Sequence, residues 1–537
     1  MEVAPSASLM VEGDAMRMVS ATIAGKDSGK TLTKLTYLSA ISFVANYGVT
    51  LLVGFFVSPI LLTILGKNLF GTWKICQRLL TYISGVDGQA TQALQWTIAN
   101  KQSSDDVGPK RRDVGCAIIV WLRFLPLVLV VGAFVAWFSP HLIRELPTEY
   151  FAATRMTCAV LVLNLILLPL NTIPQSVMLG MNLAYRCTWI RSFGTILGGL
   201  FMIAAAYVGW GLVGLATAIL CATILTGFFV LFAAKRSLLW FGVDRPRKDE
   251  IRNFFGFSIW VLASSLVSKF MLSSDIIILG LVSSAAMVTS FVLSTYTVQM
   301  VMSLILLVVS SCLPGLGGIF GREDYEKAAK VRGEIMSLSW LFAVAMGSMV
   351  LLWNYSFVKL WVGSDNFIGF TENLLMVLLM TQLIFIRNDA RIVDVTLNIR
   401  KKVLLGLFSA CLAVLLAYVF SRYWLPNVAG LVVGLMTGRL VLTISYPILV
   451  ERAFRARTAL SGPGLIRPFL VMACLYAGAS LAGAHLNVDS WLKLILYGAG
   501  SFVLALGIAF LGGLNLSQRR QIFLRMAHLR IPGFRNY

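Results

Sequence analysis

The chain is 537 residues long, 58% hydrophobic and 13% charged, with a mean hydropathy of +0.82. Soluble domains carry about a quarter charged residues, so that class is excluded. The net charge of +21 is spread over one set of loops instead of forming a basic groove interleaved with aromatics, which argues against a nucleic-acid partner and for the anionic headgroups of membrane lipids.

Residues 1–34 begin acidic and polar (Glu2, Glu12, Asp14). They lack an apolar core before a small-residue cleavage site and read as a cytosolic tail. About fourteen apolar spans follow, near 38–65, 70–99, 114–138, 154–180, 189–208, 212–234, 254–281, 287–313, 334–358, 368–399, 403–424, 429–450, 466–484 and 490–512. Each approaches or exceeds the ~20 residues that cross a bilayer as a helix. Lipid leaves backbone groups to be satisfied within the segment, so such spans predict helices; a barrel would show ~10-residue alternating strands.

Lysines and arginines occupy every second loop: Lys101/Lys110/Arg111/Arg112, Arg186/Arg191, Lys235 to Arg252, Arg322/Lys327/Lys330/Arg332, Arg400/Lys401/Lys402 and Arg452/Arg455/Arg457/Arg467. The other gaps hold Lys67, Arg144, Lys359 and Arg422 singly, or nothing basic. Positive short loops stay in the cytoplasm. The pattern predicts a multi-pass membrane protein with both termini cytoplasmic. The basic stretch 513–537, with Arg519, Arg520, Arg525 and Arg530 among apolar residues, suits either a short helix on the inner leaflet or a plain stop-transfer flank.

The chain repeats itself after about 214 residues: Leu65-Gly66 answers to Leu279-Gly280, and the basic loop 235–252 answers to 451–468. A duplicated six-helix unit keeps its orientation, which predicts two lobes related by an axis along the membrane normal. The expected organisation is a lobe over 35–235, a cytosolic linker over 236–252, a second lobe over 253–451, two additional helices over 466–512 and the basic tail. No outer loop is long, the largest running about fifteen residues from Ser139 to Ala153. That leaves no room for an extracytoplasmic catalytic segment. No G-x-x-x-x-G-K-[ST] sequence is present, so no ATPase is expected. The eight cysteines lack a C-x-x-C spacing and the three histidines are far apart, which points to no metal and no cofactor.

A charge near the bilayer centre costs at least about 2.5–3.5 kcal/mol, so ionisable residues inside spans are the candidate functional groups. Seven are cationic (Lys74, Arg78, Arg123, Lys269, Arg387, Arg391, Arg439) and four acidic (Asp87, Asp275, Asp389, Asp394). The cations predict an electropositive cavity for substrate, and the acids are candidates for ion coupling. Lys74, Arg78, Thr81, Gly85, Gln89, Gln92 and Trp96 recur at steps of three and four and predict one polar stripe; the facing of Asp87, inside Gly85-Val86-Asp87-Gly88, stays open. Arg387, Arg391, Asp394 and Asn398 form a second stripe that also fits a structural ion-pair network. Arg123 also fits a snorkelling side chain, and Asp275 an acceptor between helices. Arg439 lies about halfway across its span, where snorkelling is hard. Pro169 and Pro174 bracket Asn171 and predict an irregular fourth helix.

Leu65-Gly66 followed by Phe70-Gly71-Thr72-Trp73 resembles the LG…FG-x-W/Y signature of Wzx-type polysaccharide flippases, and Asp275-x-x-x-Leu279-Gly280 is similar to the D-x-x-x-x-G of their second half. These proteins belong to the multidrug/oligosaccharidyl-lipid/polysaccharide exporter (MOP) superfamily. The resemblance implies an all-α, MATE-like polytopic fold and a transporter, not an enzyme. It would carry an undecaprenyl-pyrophosphate-linked oligosaccharide to the periplasmic leaflet for O-antigen, capsule or exopolysaccharide synthesis, with polysaccharide polymerase machinery as a partner. It places the lumen along helices one, two, seven and eight, and so includes Lys74, Arg78 and Lys269. Fourteen helices match the lipid II flippase branch, but the first span is uncharged, which favours O-antigen or exopolysaccharide cargo over the peptidoglycan precursor. The competing readings are a cation-coupled multidrug antiporter of the same fold, against which the surplus of buried cations argues, and an integral-membrane glycosyltransferase or polymerase.

Overall fold

A computed structural model describes residues 8–84, 89–101, 106–320, 323–395, 399–425, 428–454 and 466–520, with most side chains from Ile41 onward. Asp87 and Asn398 lie outside the described residues. Those described form fourteen α-helices and no strand: α1 Ser8–Ile83, α2 Ala90–Asn100, α3 Val107–Phe138, α4 Phe151–Gly180, α5 Ala184–Tyr207, α6 Gly211–Ser237, α7 Lys248–Val282, α8 Ala285–Phe320, α9 Tyr325–Val362, α10 Phe370–Val395, α11 Ile399–Val419, α12 Val428–Phe454, α13 Ile466–His485 and α14 Trp491–Gly513.

Among the described residues, twelve stretches are long and apolar enough to cross a membrane. The chain is a multi-pass membrane protein. One stretch, Ile41–Ile83, is 43 residues long, about twice what a bilayer needs. Gly66 divides it, with φ 74° and ψ 170°, a backbone that a residue without Cβ adopts freely. The first expected span and the first part of the second therefore both lie on α1. The seventh expected span is α7, which lies outside those twelve.

The second span is not one regular helix. α1 ends at Ile83 and α2 begins at Ala90, after Gln89 in a left-handed conformation with φ 48°. The unbroken stripe from Lys74 to Trp96 is corrected here. The left-handed backbone at Gln89 interrupts the helical phase, so Gln92 and Trp96 do not continue the stripe of Lys74, Arg78 and Thr81. The fourth helix, by contrast, stays continuous from Phe151 to Gly180 with Pro169 and Pro174 inside it. Asn171 Nδ2 donates to the Thr223 carbonyl at 2.6 Å. Its side chain fills the space that a Cβ at Gly227 would need, so α4 and α6 approach closely at that point. In the region 236–252, α6 reaches Ser237 and α7 starts at Lys248.

The chain divides into two compact units. The first comprises residues 1–58, 86–132 and 159–262. Its core gathers Leu94, Ile98, Val120, Val177, Met178 and Phe254. Basic residues at the start of α3 secure the linker: Arg111 Nε donates to the Trp240 carbonyl at 2.7 Å, Arg112 pairs with Glu250 at 2.9 Å and Lys101 with Asp113 at 2.7 Å.

The second unit comprises residues 59–85, 133–158 and 263–537. Its core runs through α8, α9, α10, α12 and α13. Close helix approach through small residues organises it, as is usual where lipid removes the hydrophobic drive between helices. Gly430, Gly434 and Gly438 face α11 and its end; a Cβ on Gly434 would lie 2.5 Å from the Ala417 backbone, and one on Gly438 would lie 2.3 Å from Ala413 Cα. The helices α13 and α14 pack on α9, where Tyr476 donates to the Ala343 carbonyl at 3.0 Å and Trp353 Nε1 to Ser501 at 2.9 Å. In the loop between α13 and α14, a 2.6 Å hydrogen bond from Lys359 holds the Asp489 carboxyl below the usual carboxylate range.

Candidate functional site

Within the second unit, one cavity of about 210 Å³ has room for on the order of seven waters. Five helical segments line it: the part of α1 beyond Gly66 (Arg78), α7 (Asp275), α8 (Phe291, Thr295, Val298, Gln299, Met302, Ser303), α10 (Met376, Leu379, Met380, Leu383, Arg387) and α12 (Leu435, Arg439). Three arginines from three helices thus meet one carboxylate, with a wall of leucine and methionine.

Helical spacing and polar anchors explain how they converge. Arg387 lies four residues beyond Leu383, which lies four beyond Leu379, so these three share a face of α10. The same spacing puts Arg439 one turn after Leu435 on α12. Gln382 ties the two helices together, donating through Nε2 to the Met436 carbonyl at 3.0 Å and to Thr443 Oγ1 at 3.2 Å. Gly438 seats α12 on α11, with Ser409 donating to its carbonyl at 3.0 Å, and the next residue, Arg439, reaches the cavity while only 3% exposed. Asn354 of α9 holds the other walls. It accepts from Thr297 at 2.7 Å and donates to the Ser294 carbonyl at 2.9 Å and to Asn373 Oδ1 at 2.8 Å, joining α8, α9 and α10.

Arg78 Nη2 stands 3.8 Å from Asp275 Oδ1. That distance is an ion pair without a direct hydrogen bond. Asp275 Oδ1 accepts instead from the backbone N–H of Ile276 at 2.8 Å. Arg78 Nε is buried and has no hydrogen-bond partner among the described residues. A buried donor of this kind is costly and is suited to an anionic acceptor supplied by a ligand.

Of the eleven ionisable residues singled out from sequence, the cavity brings together Arg78, Arg387, Arg439 and Asp275. Lys74, one turn before Arg78, stacks over the Phe70 ring at 5.1 Å. Lys269 donates to Ser84 Oγ at 2.9 Å, and Arg391 Nη1 to the Leu306 carbonyl at 2.6 Å. Arg123 is exposed on α3 in the first unit. Asp389 accepts from Arg332, and Asp394 accepts from Lys402 at 2.6 Å. Sequence reasoning missed Asn354 and Gln382, whose polar side chains in apolar spans were the available signal. It also placed Arg332 in a basic loop, whereas that side chain is fully buried.

Comparisons with known proteins add the following. Residues 126–366 match the family described as polysaccharide biosynthesis protein. No curated protein matches the chain in sequence. Among solved structures, a lipid II flippase MurJ in an inward closed conformation is similar over 91% of this chain and 100% of its own, with a TM-score of 0.67 and 11% identity. An inward-facing multidrug resistance MATE family transporter of the MOP superfamily covers 79% of this chain and 100% of its own, with a TM-score of 0.62 and 15% identity. An outward-facing one covers 79% and 96%, with a TM-score of 0.54 and 16% identity. These likenesses establish the fold.

Proposed function

From a chain with the fold of the MOP superfamily and a polysaccharide biosynthesis match across its middle, we propose a flippase that moves a lipid-linked oligosaccharide across the inner membrane by alternating access. The cargo class is an undecaprenyl-pyrophosphate-linked glycan destined for O-antigen, capsule or exopolysaccharide. The observation that carries this reading is the convergence of Arg78, Arg387 and Arg439 on one cavity whose described lining residues include a single acid, Asp275. Guanidinium forks match phosphate oxygens in bidentate geometry. Three of them in a low-dielectric setting favour a multiply charged anion over a neutral or cationic substrate. At about 210 Å³ the cavity suits a diphosphate and not an oligosaccharide, so the glycan would extend beyond it and the polyprenyl tail would stay in lipid.

In this scheme the helices that line the cavity rearrange about the headgroup, with Lys74 and Lys269 beside its path. Both termini and the basic loops face the cytoplasm, as the charge pattern requires. The methionine and leucine wall also suits a multidrug antiporter, as the likeness to MATE transporters allows. The three-to-one excess of arginine over acid at the same wall opposes the cationic substrates of such an antiporter.

The test is a deletion strain examined for lipid-linked saccharide on each leaflet. Accumulation of a diphosphate-linked oligosaccharide on the cytoplasmic face, reversed by the wild-type gene, is the expected result. An unchanged distribution of such lipids, with increased sensitivity to organic cations, would establish the antiporter instead.

A further inference from the structure

Asp275 is the single acid among the described residues lining the arginine cavity, and its geometry there is peculiar. Its Oδ1 is fixed by the Ile276 N–H at 2.8 Å, yet stays 3.8 Å from Arg78 Nη2. Neither partner is fully enclosed, with side-chain exposures of 24% for Arg78 and 19% for Asp275. The carboxylate therefore neutralises Arg78 through space without occupying its hydrogen-bonding fork, and Arg78 Nε has no partner among the described residues. A guanidinium held this way can exchange its counter-anion at low cost, because no short hydrogen bond has to break.

We propose that Asp275 is a resident competitor for the anionic headgroup: it satisfies Arg78 while the cavity is empty and yields it when a diphosphate enters. The inference rests on the cavity being a diphosphate site, as read above. Its consequence is selectivity. An anion of one charge gains too little from Arg78 to displace a carboxylate already in place. A diphosphate reaches Arg78 together with Arg387 and Arg439, and wins by engaging several donors at once. The competitor also helps release. Without it, three arginines would hold a multivalent anion tightly, and slow dissociation would limit turnover. With it, Arg78 has an alternative partner as the headgroup leaves. Asp275 is thus a positioning and specificity residue that acts on the substrate through Arg78.

The experiment uses the full chain in lipid nanodiscs with inorganic pyrophosphate as probe, titrated calorimetrically with and without chloride. Asp275→Asn is expected to tighten pyrophosphate binding about tenfold, the effect of deleting one unit of charge at short range. It should also make binding more sensitive to chloride and slow flipping in proteoliposomes. Asp275→Glu should restore the weaker, chloride-resistant binding, which a purely structural role would not predict. Asp275→Ser serves the same purpose should the asparagine variant fail to insert. Wild-type binding with equal or weaker binding by both neutral variants overturns the competitor role alone. Absence of pyrophosphate binding by wild type and variants alike overturns the diphosphate reading of the cavity and this proposal with it.

Discussion

Arg332 places both Nε and Nη2 on a single oxygen of Asp389, at 2.9 and 2.7 Å, and neither side chain has meaningful exposure. The pair joins α9 to α10 two residues beyond Arg387, and so holds in place the helix that presents that arginine to the cavity. Breaking a buried pair leaves an uncompensated charge, at a cost of about 3–5 kcal/mol. Asp389→Asn or Arg332→Met alone is therefore expected to lower membrane abundance and thermal stability in detergent sharply. Arg332→Met combined with Asp389→Leu should recover much of the loss, since it removes both charges. A double variant as unstable as either single one would contradict this account. A stable Asp389→Asn with lost gradient dependence would make that aspartate an ion-coupling group instead.

The cavity arginines should separate from the other buried cations by phenotype. Arg78→Ala and Arg439→Ala are each expected to abolish surface-glycan display at normal membrane abundance, because each lines the cavity. Lys74→Ala should retain more function than Arg78→Ala, since Lys74 rests on Phe70. Combining Lys74→Ala with Arg78→Ala should add little to Arg78→Ala. Immunoblotting of surface polysaccharide beside membrane protein levels reads all four variants. Normal display by Arg78→Ala and Arg439→Ala would remove both from the site.

Asp394 makes its 2.6 Å bond to Lys402 with a side chain 47% exposed. Its partner Lys402 is only 11% exposed, but the pair is open on the Asp394 side and asparagine keeps an acceptor in the same place, so the change costs about 0–1 kcal/mol, as for an exposed pair. Asp394→Asn is thus expected to leave stability and transport nearly unchanged, including their response to an imposed proton or sodium gradient in proteoliposomes. Loss of that response in this variant would move the coupling site to the end of α10.

Asn354 makes three hydrogen bonds to two neighbouring helices while only 1% exposed. Asn354→Leu strands the acceptors and donors it served, at about 1–3 kcal/mol for each buried group left unsatisfied. The expected outcome is a lower melting temperature together with weakened pyrophosphate binding, because α8 and α10 lose their common tie. An unaltered melting curve would show that the neighbouring groups find other partners.

The glycine face of α12 gives a steric test. Gly434→Leu should prevent α12 from seating on α11, because its Cβ alone would lie 2.5 Å from the Ala417 backbone. Gly478→Ala, where nothing lies within 4 Å, is the matched control and should insert and function normally. Comparable abundance of the two proteins would rule out the close approach of α11 and α12.

What could be read without a structure follows from the solvent. Lipid forces backbone hydrogen bonds inside each segment, so hydropathy marked the spans, and the Phe70-Gly71-Thr72-Trp73 and Asp275 motifs pointed to the fold that this chain shares with MurJ and MATE structures. The cost of a charge in hydrocarbon singled out Arg78, Asp275, Arg387 and Arg439. Which charges share a cavity is another matter, because helical periodicity gives a direction on one helix and says nothing of its neighbours. Arg391 and Arg387 lie on one stripe of α10, yet the first is spent on the Leu306 carbonyl and the second lines the cavity. Lys74 and Arg78 share a stripe as well, and only Arg78 reaches Asp275. The break at Gln89 ended a polar stripe that looked continuous in one dimension. Partner choice among buried charges depends on differences of an ångström or two between helices. Those distances are set by contacts such as Gly438 on Ala413 and Gln382 on Met436, which exist only once the helices have packed.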